Sequence, residues 1–344
     1  MSALTIFSLD LGNKRTKMYT EKGVRDYPSQ FALKKDAGQE TRFKKKMDLN
    51  FFSINEEEYV WGNDLYEEID PQDLIDTMRF GSSRYRSSQY KNLIKMSLAE
   101  MASDYDTEEI LAVELVIALP TEDLTDENKS RLENFLKDAH SIKRNGKSHV
   151  IKVDKVHIES QTTGTFYNHL LGKDGLVDNK ELYDKTVSIV DAGGGTLIIE
   201  TLKRLSFIPE LSSQFETGAY KLFNEIKFAA KQKGCRISVY EIENILREGK
   251  TVFSENNRLD EDQVFDLSNI IEKVKNQYTE VVLNNLNKTL KGTNRIDQMI
   301  VTGGTSQLIN KEVFKEEYPY VIFEKEPSTA NAVGNYKYIL AVRE

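Results

Sequence analysis

Cysteine is almost absent from this sequence, since Cys235 is the only one among 344 residues. One thiol excludes a disulfide framework and a cluster of thiolate metal ligands, so we expect Cys235 to be a buried or incidental thiol. Long apolar runs are also missing, because none approaches the roughly 18 residues of a membrane-spanning helix. We also expect no signal peptide before Leu4. We therefore expect a cytoplasmic protein without a membrane span.

Histidine is scarce, and positive charge does not dominate. The four histidines, His140, His149, His157 and His169, show no metal-ligand spacing and no serine or cysteine partner, which favours structural or surface roles. The formal net charge of -8 argues against broad electrostatic binding to nucleic acid. With 39% apolar and 30% charged residues, the chain is typical of a highly charged globular protein with room for two domains.

The stretch around which the sequence is organised is TVSIVDAGGGTLIIET, residues 186–201. The aliphatic run Val187–Val190 leads into Asp191, three glycines follow, and a second apolar run begins after Thr196. This pattern predicts two buried strands joined by a glycine turn with a carboxylate at its edge. Backbone N–H groups of such a turn can approach an anion, and a carboxylate beside a phosphate implies a divalent cation between them. An ordinary hairpin whose Asp begins the turn is the alternative.

The first strand of the chain repeats this arrangement. Leu4–Leu9 is apolar and runs into Asp10 and Gly12, with Thr16 and Lys17 just past the turn. Hydroxyl and ammonium groups at these positions can bind phosphate oxygens. A plain N-terminal hairpin is the alternative, but two such hairpins about one domain apart indicate a repeated plan.

Other segments predict the elements between these turns. Thr125 is expected to cap a helix that continues through His140, because its hydroxyl can accept the unpaired N–H groups of the first turn. Further helices are predicted at Pro71–Phe80 and Ser88–Tyr105, and strands at Leu111–Leu119 and Val150–Ile158.

A third glycine turn lies near the C-terminus. Gln298–Thr302 predicts a short strand, and Gly303, Gly304 and Thr305 follow it before a helical stretch. With three such turns, the chain resembles the actin, heat-shock-protein-70 and sugar-kinase superfamily of ATPases, in which two phosphate hairpins and an adenosine turn occur in this order. Within that superfamily it is most similar to the ParM/StbA actin-like proteins that segregate bacterial plasmids. The segments that carry this similarity are FGSSRYRSSQY, WGND, ESQTTGTF at 159–166 and TLIIETLKR.

The resemblance implies an α/β fold of the actin-like ATPase type, with two similar ribonuclease-H-like α/β domains and a nucleotide cleft between them. Domain I is expected to comprise residues 1–158 and 327–344, with a small projecting subdomain at about 28–100, and domain II residues 159–326. The basic loop Lys44–Lys46 lies in that subdomain. We expect a solvated loop there, and contact with a neighbouring subunit is the alternative.

The resemblance also implies a clamp for the β- and γ-phosphates of ATP or GTP. Asp10 and Asp191 are expected to hold hydrated Mg²⁺ through water, since direct contact between carboxylate and phosphate is repulsive. The residues expected to bind the nucleotide are Gly12, Asn13, Thr16, Lys17, Gly193, Gly194, Gly195, Thr196, Gly218, Arg247, Glu248, Gly303, Gly304 and Thr305. Nothing in the sequence matches the Walker A pattern, which excludes a P-loop enzyme.

Glu159 is the predicted water-positioning residue. ParM-like proteins carry a glutamate at the start of the helix that links the two halves, and the resemblance therefore implies that Glu159, with Asp10 and Asp191, forms the catalytic set. A helix-start acid that is stabilised by the helix dipole is the alternative for Glu159. For Arg247 and Glu248, which lie on the helix that flanks the adenosine in this family, the alternative is a solvated charge pair.

The sequence departs from the family pattern at two positions. Ile198 stands where many superfamily members have a second acid in the hairpin, so any role of that acid is missing here. Lys14 replaces a small residue that is usual in the first turn, so the family's amide geometry around the β-phosphate is not carried over to this turn.

The function that these features favour is an actin-like ATPase that polymerises with ATP and disassembles after hydrolysis. Its filaments would move plasmid DNA through a DNA-binding adaptor at the plasmid centromere, with no direct contact to nucleic acid or membrane. A sugar-kinase-type phosphotransferase is the first alternative, but it needs a further acid to deprotonate the substrate hydroxyl. A chaperone-type ATPase is the second alternative. We do not expect it, because such proteins carry a substrate domain after the ATPase and this sequence ends at Glu344. A cell-shape or cell-division relative would often show an amphipathic membrane segment.

Overall fold

The computed structural model describes residues 4–38, 47–77, 81–106, 109–217, 219–255, 263–292 and 295–343. The basic loop Lys44–Lys46 and Gly218 lie outside the described residues. Across the described ranges, no helix is both long and apolar enough to cross a membrane. The chain is a mixed α/β protein, as predicted, with two large mixed sheets.

The strands in chain order are β1 (Thr5–Leu11), β2 (Arg15–Thr20), β3 (Gly23–Pro28), β4 (Gln30–Leu33), β5 (Leu49–Ile54), β6 (Glu57–Gly62), β7 (Ile75–Asp76), β8 (Leu111–Leu119), β9 (Ala139–Arg144), β10 (Lys147–Ser160), β11 (Thr186–Ala192), β12 (Leu197–Lys203), β13 (Ser206–Phe207), β14 (Ser213–Phe215), β15 (Val252–Glu255), β16 (Gln263–Asp266), β17 (Gln298–Thr302) and β18 (Val321–Phe323). The helices are α1 (Leu65–Glu68), α2 (Ser88–Ala102), α3 (Asp126–Leu136), α4 (Gln161–Leu170), α5 (Lys180–Asp184), α6 (Ala219–Gln232), α7 (Val239–Arg247), α8 (Ser268–Leu290), α9 (Lys311–Glu317) and α10 (Ala330–Val342).

The chain divides into two compact units. Unit 1 comprises Met1–Asn179 and Ser328–Glu344, and unit 2 comprises Lys180–Pro327. The change of unit after Asn179 comes later in the chain than the predicted boundary at residue 158. It does so because α4 packs closely against α10, where the backbones of Gly164 and Gly334 approach too closely for side chains. The predicted domain bounds themselves stay a prediction.

The described strands of unit 1 form one sheet in the order β3-β2-β1-β8-β10-β9-β5-β6-β4-β7. The central strands β1, β8 and β10 run parallel, and β1 forms an antiparallel hairpin with β2. Helices α2 and α10 both pack on β1. Strand β8 is buried along most of its length, as its almost uninterrupted apolar sequence LAVELVIAL requires.

Unit 2 repeats the central part of this topology. Its main sheet has the order β13-β12-β11-β17-β18, with β14 also paired to β12. Strand β11 forms an antiparallel hairpin with β12 and pairs in parallel with β17, as β1 does with β2 and β8. The predicted similarity of two α/β halves is therefore confirmed. Cys235 is buried in the core of this unit, as expected.

One predicted helix is wrong at its C-terminal end. Thr125 caps α3 as expected, since its side chain accepts from the Asn128 N–H, but the helix ends at Leu136. His140 lies in strand β9 because the Asn145–Gly146 turn folds β9 against β10. Both turn residues have positive φ, 48° and 84°, which is the conformation that Asn-Gly hairpin turns favour.

A second predicted helix, Pro71–Phe80, is also wrong over its described part. Pro71–Asp73 forms a single 3₁₀ turn, with the Asp70 side chain as its cap, and β7 follows at once. Strand β7 forms because its two residues pair with β4. Residues 78–80 lie outside the described ranges.

Candidate functional site

Asp10 lies at the end of β1, beside the turn to β2. Its side chain is 2% exposed, and the Lys17 Nζ lies 3.3 Å from its Oδ2. The two residues are direct cross-strand partners, so the hairpin register places ammonium and carboxylate on one face of the sheet. The Gln161 side chain, at the start of α4, donates to Asp10 Oδ1 at 2.8 Å. The structure thus brings Asp10, Lys17 and Gln161 together.

The backbone of the first turn is held by Ser29. The Ser29 hydroxyl donates to the Gly12 carbonyl at 2.6 Å, and the Ser29 N–H donates to the Lys14 carbonyl at 2.8 Å. In a trans peptide the C=O and the following N–H point in opposite directions. The Asn13 N–H therefore points away from Ser29, which leaves this predicted phosphate donor on the opposite side of the turn.

Gly12 and Thr16 have different roles in this turn. A Cβ on Gly12 would lie 2.7 Å from Lys17 Nζ and 2.8 Å from the Arg15 carbonyl oxygen, so glycine lets the ammonium fold over the turn. Thr16 is fully buried, and its Oγ1 lies 3.0 Å from the Ser29 Oγ. Because side chains alternate along β2, Thr16 is on the opposite face from Lys17. The structure does not bring the Thr16 hydroxyl together with Lys17 and Asp10.

Glu159 is the penultimate residue of β10, opposite Ala118 of β8. It is half-buried, and burial raises the pKa of its carboxyl group, although His157 and Lys129 partly offset that rise. It precedes Gln161 by two residues, so the same strand end delivers both side chains. A half-buried carboxylate at a strand end can orient a water molecule by accepting a hydrogen bond from it.

Asp191 occupies in unit 2 the position that Asp10 has in unit 1. It is 7% exposed, lies near the end of β11 and pairs in register with Thr302 of β17. Burial raises the pKa of the Tyr278 hydroxyl, and the Asp191 charge adds to the rise. The buried Tyr278 hydroxyl has no hydrogen-bond partner among the described residues. An orphaned hydroxyl near a carboxylate fits bound water, so the Asp191 surroundings suit a hydrated cation.

The glycine turn after Asp191 uses part of its backbone internally. The Gly193 N–H donates to the Thr196 carbonyl at 2.9 Å, so this amide is committed within the turn. The Thr305 hydroxyl donates to the Gly193 carbonyl at 2.8 Å, which directs the following Gly194 N–H away from Thr305. Gly194, Gly195 and Thr196 are all half-buried. Their N–H groups are the remaining anion donors of this turn.

The third glycine turn packs directly against the second. Gly303 has φ +86°, and a Cβ there would overlap the Asp191 carboxylate and the Ala192 backbone. Its N–H donates to the Pro327 carbonyl at 2.9 Å. A Cβ on Gly304 would meet nothing within 4 Å, so its backbone faces open space. The structure brings Gly303, Thr305 and Asp191 together, with Gly304 as the open surface.

Gly303→Ala is expected to destabilise unit 2 by about 1–3 kcal/mol, since it adds both a strained backbone and a steric overlap. Gly304→Ala is the matched control and should change stability by no more than about 0.5 kcal/mol. Urea unfolding of both variants without nucleotide measures the difference. Equal stability of the two would contradict the close packing of the turns.

Arg247 and Glu248 form surface ion pairs. Arg247 lies 3.4 Å from Glu243 on the same helix, and Glu248 lies 2.5 Å from Lys250. Helix α7 packs against the 3₁₀ turn that begins at Gly304. The ion pairs of Arg247 and Glu248 are those of a solvated charge pair, and their proposed place beside the adenosine stays a prediction.

Two of the four histidines, His140 and His157, contact polar groups of unit 1. His140 is buried, its Nε2 lies 3.1 Å from the Leu136 carbonyl oxygen, and burial lowers its pKa. Burial also lowers the pKa of His149. The His157 Nε2 lies 2.8 Å from Glu114 Oε1. These contacts, and the burial of His149, place the three side chains within unit 1.

Three residues of the site were missed in the sequence. Gln161 stands two positions after Glu159 in the segment ESQTTGTF, and its place at a helix start was an available signal. Arg84 lies in FGSSRYRSSQY, a segment that carried the resemblance without an assigned role. Ser29 follows Pro28 and carried no signal, because its hydrogen bonds to the first turn depend on strand pairing across the hairpin.

Two family models match the chain. A model described as the N-terminal domain of actin-like proteins matches residues 8–164, and a model described as the Alp7A C-terminal domain matches residues 186–328. No match was found among curated protein sequences.

Solved structures resemble the chain along nearly its whole length. The apo psk41 ParM protein has a TM-score of 0.76 and 23% identity, covering 98% of this chain and 97% of its own. Bacillus thuringiensis ParM with ATP has a TM-score of 0.71 and 16% identity, with 98% of each chain covered. The Alp12 filament structure has a TM-score of 0.66 and 16% identity, again with 98% of each chain covered. At these identities the likeness concerns the fold.

Proposed function

We propose that this chain, which is an actin-like protein with an Alp7A-like C-terminal domain, binds ATP with Mg²⁺, assembles into filaments and hydrolyses the bound nucleotide. The observation that carries the proposal is the repeated hairpin. In each unit a strand that pairs in parallel with its neighbour also starts an antiparallel hairpin, and it delivers Asp10 or Asp191 to that hairpin's turn.

The nucleotide is proposed to bind to both turns at once. Lys17 and the outward N–H groups of Asn13, Gly194 and Gly195 would hold phosphoryl oxygens, since charge-assisted hydrogen bonds to fixed backbone donors suit an anion. Mg²⁺, bound through water to Asp10 and Asp191, would neutralise phosphate charge. Gly303, Gly304 and Thr305 would lie against the sugar and α-phosphate. GTP satisfies the same phosphate contacts, so the base preference is open to test.

Hydrolysis is proposed to depend on Glu159. Its carboxylate would orient a water in line with the γ-phosphate, and the Gln161 amide would hold Asp10 in place through its 2.8 Å hydrogen bond. Neither residue needs to bind the nucleotide tightly, because positioning groups act mainly on the chemical step.

The filaments are proposed to segregate plasmid DNA in the cytoplasm, through a separate DNA-binding adaptor. Support comes from the family, from the ParM relatives and from the Alp12 protein that was solved as a filament. The net charge of -8 favours an adaptor over direct contact with DNA. Other bacterial actin functions, in cell shape or division, are the alternative within the same fold.

Assembly measured by light scattering tests the proposal. ATP with Mg²⁺ should raise scattering above a critical concentration, and the signal should fall as phosphate is released. A sugar-kinase-type phosphotransferase would instead consume ATP only when a sugar is present, with no rise in scattering. That second pattern would overturn the filament proposal, and parallel runs with GTP and ADP would define the nucleotide.

The basic loop Lys44–Lys46 gives a second test of assembly. If it contacts a neighbouring subunit, changing all three lysines to alanine should raise the critical concentration without changing nucleotide affinity. Sedimentation at graded protein concentrations measures that threshold. An unchanged threshold would show that the loop is only solvated.

A further inference from the structure

Arg84 lies in the 3₁₀ turn Gly81–Arg86 and is only 3% exposed. Its Nη2 donates to the Asn13 Oδ1 at 2.9 Å, so it reaches the first turn from a segment distant in sequence. A buried arginine keeps its full charge, and its field is weakly screened because little water surrounds it. The first turn is therefore backed by a fixed positive charge.

The chemistry of arginine determines how the Asn13 side chain is oriented. A guanidinium has donors only, so the Asn13 atom that faces it must be the amide oxygen. The amide nitrogen, with its two N–H groups, is then directed away from Arg84. The Asn13 backbone N–H is likewise directed away from Ser29, because Ser29 binds the Gly12 carbonyl. Both kinds of donor on Asn13 are thus set by contacts behind the turn.

The charges of Arg84 and Asp10 both act on the hydroxyl of the buried Tyr90. Burial is the main cause of the raised pKa of Tyr90; Arg84 opposes the rise, and Asp123 and Asp10 add to it. The Tyr85 hydroxyl donates to Asp123 Oδ2 at 2.7 Å. Arg84 therefore belongs to the electrostatic surroundings of the Asp10 end of the sheet.

We propose that Arg84 is a positioning residue of the anion site: it holds Asn13 so that the amide nitrogen of this side chain donates to a phosphoryl oxygen of a nucleoside di- or triphosphate. This inference rests on the proposed nucleotide binding and deepens it. Arg84 does not touch the ligand in this arrangement. It acts through Asn13, whose side chain it orients.

Asn13→Asp separates this role from a merely structural one. A carboxylate at position 13 would keep the contact with Arg84 and strengthen it to an ion pair. It would, however, lose both N–H donors and place a negative charge beside the phosphate. If Asn13 only supports the turn and its side chain lies away from the phosphate, ATP binding should be unchanged and thermal stability equal or higher. The positioning role predicts equal or higher stability together with ATP affinity weakened about tenfold or more.

A double-mutant cycle tests whether Arg84 acts through Asn13. Arg84→Gln and Asn13→Ala should each weaken ATP affinity, and the double variant should be no weaker than Asn13→Ala alone by more than about threefold. Arg84→Lys keeps a charged donor at this site and should recover part of the lost ATP affinity. It also serves as the second variant if Arg84→Gln fails to fold. Additive losses would show that Arg84 acts independently of Asn13 and would overturn the inference.

The measurement is calorimetric titration of the full chain with ATP and Mg²⁺, with thermal unfolding of each variant in the absence of nucleotide. Asn13→Asp that binds ATP as the unmodified chain does would overturn the inference while leaving the proposed function intact. An unmodified chain that binds neither ATP nor GTP would overturn both. The combination of weakened affinity and preserved stability would support both.

Discussion

Replacing Glu159 by alanine is expected to leave ATP binding and assembly intact while slowing hydrolysis by about a hundredfold or more. The reason is that Glu159 is proposed to orient the attacking water, which affects the chemical step and not the binding of phosphates. Filaments of the variant should therefore persist after the unmodified protein has disassembled. Phosphate release and sedimentation, followed on the same sample, measure the two effects together.

The position of Glu159 adds a pH dependence to this expectation. Burial raises the pKa of its carboxyl group, so the carboxylate form is lost at a higher pH than for an exposed glutamate. As the pH is lowered, the hydrolysis rate should therefore begin to fall at a pH above the range in which an exposed glutamate titrates. A raised folded pKa also means that the charged form opposes folding as pH rises. Glu159→Gln should therefore be at least as stable as the unmodified chain at neutral pH, yet hydrolyse slowly.

Glu133→Gln is the matched control, because Glu133 lies on the surface of α3 in the same unit and pairs only with Lys137 at i,i+4 among its described contacts. Such a pair contributes little, so hydrolysis should stay normal. Rapid phosphate release by Glu159→Ala, with filaments of normal lifetime, would show that another residue positions the water. Gln161 would then be the next residue to change.

Much of the fold could be predicted from the sequence because its central strands are buried on both faces. Strand β8 has the predicted bounds Leu111–Leu119, and β17 has the predicted bounds Gln298–Thr302. Short apolar runs that end at a proline or a glycine, as these do at Pro120 and Gly303, leave few alternatives. The hairpin at Asn145–Gly146 was not predicted. Strand β9 is short and polar with alternating buried and exposed residues, and the predicted helix was extended into it through His140.

Contacts between distant polar residues could not be predicted. Glu100 lies in the last turn of α2, yet it is only 1% exposed, because it pairs with Arg25 and Arg144 from two different strands. From the sequence alone, a glutamate in a helix is expected to face solvent. The same limit applies to Ser29 and Arg84, whose contacts with the first turn depend on tertiary packing. The turn glycines could be predicted because the conformation of a turn depends on its own residues. The residues that support the turns could not, because they are brought there by tertiary contacts.

Replacing Asp191 by alanine is expected to weaken nucleotide binding in the presence of Mg²⁺ and to abolish turnover. Asp191 is 7% exposed near the end of β11, its charge acts on the orphaned Tyr278 hydroxyl, and no other predicted metal-binding carboxylate lies in the described part of unit 2. Its loss would remove half of the proposed water-mediated cation site. The effect should depend on the metal, so ATP affinity measured with EDTA should differ little between the variant and the unmodified chain.

Asp191→Asn tests charge separately from shape, since the amide keeps the volume that packs against Gly303. We expect it to fold normally, to lose the Mg²⁺-dependent part of the affinity and to hydrolyse ATP no faster than the alanine variant. Asp184→Asn is the matched control, because Asp184 is an exposed aspartate of the same unit that pairs with Arg204 at the surface. Titration with ATP at graded Mg²⁺ concentrations distinguishes them. Normal ATPase activity in Asp191→Asn would contradict the proposal that the Asp191 carboxylate holds the cation, because a neutral amide cannot replace that charge.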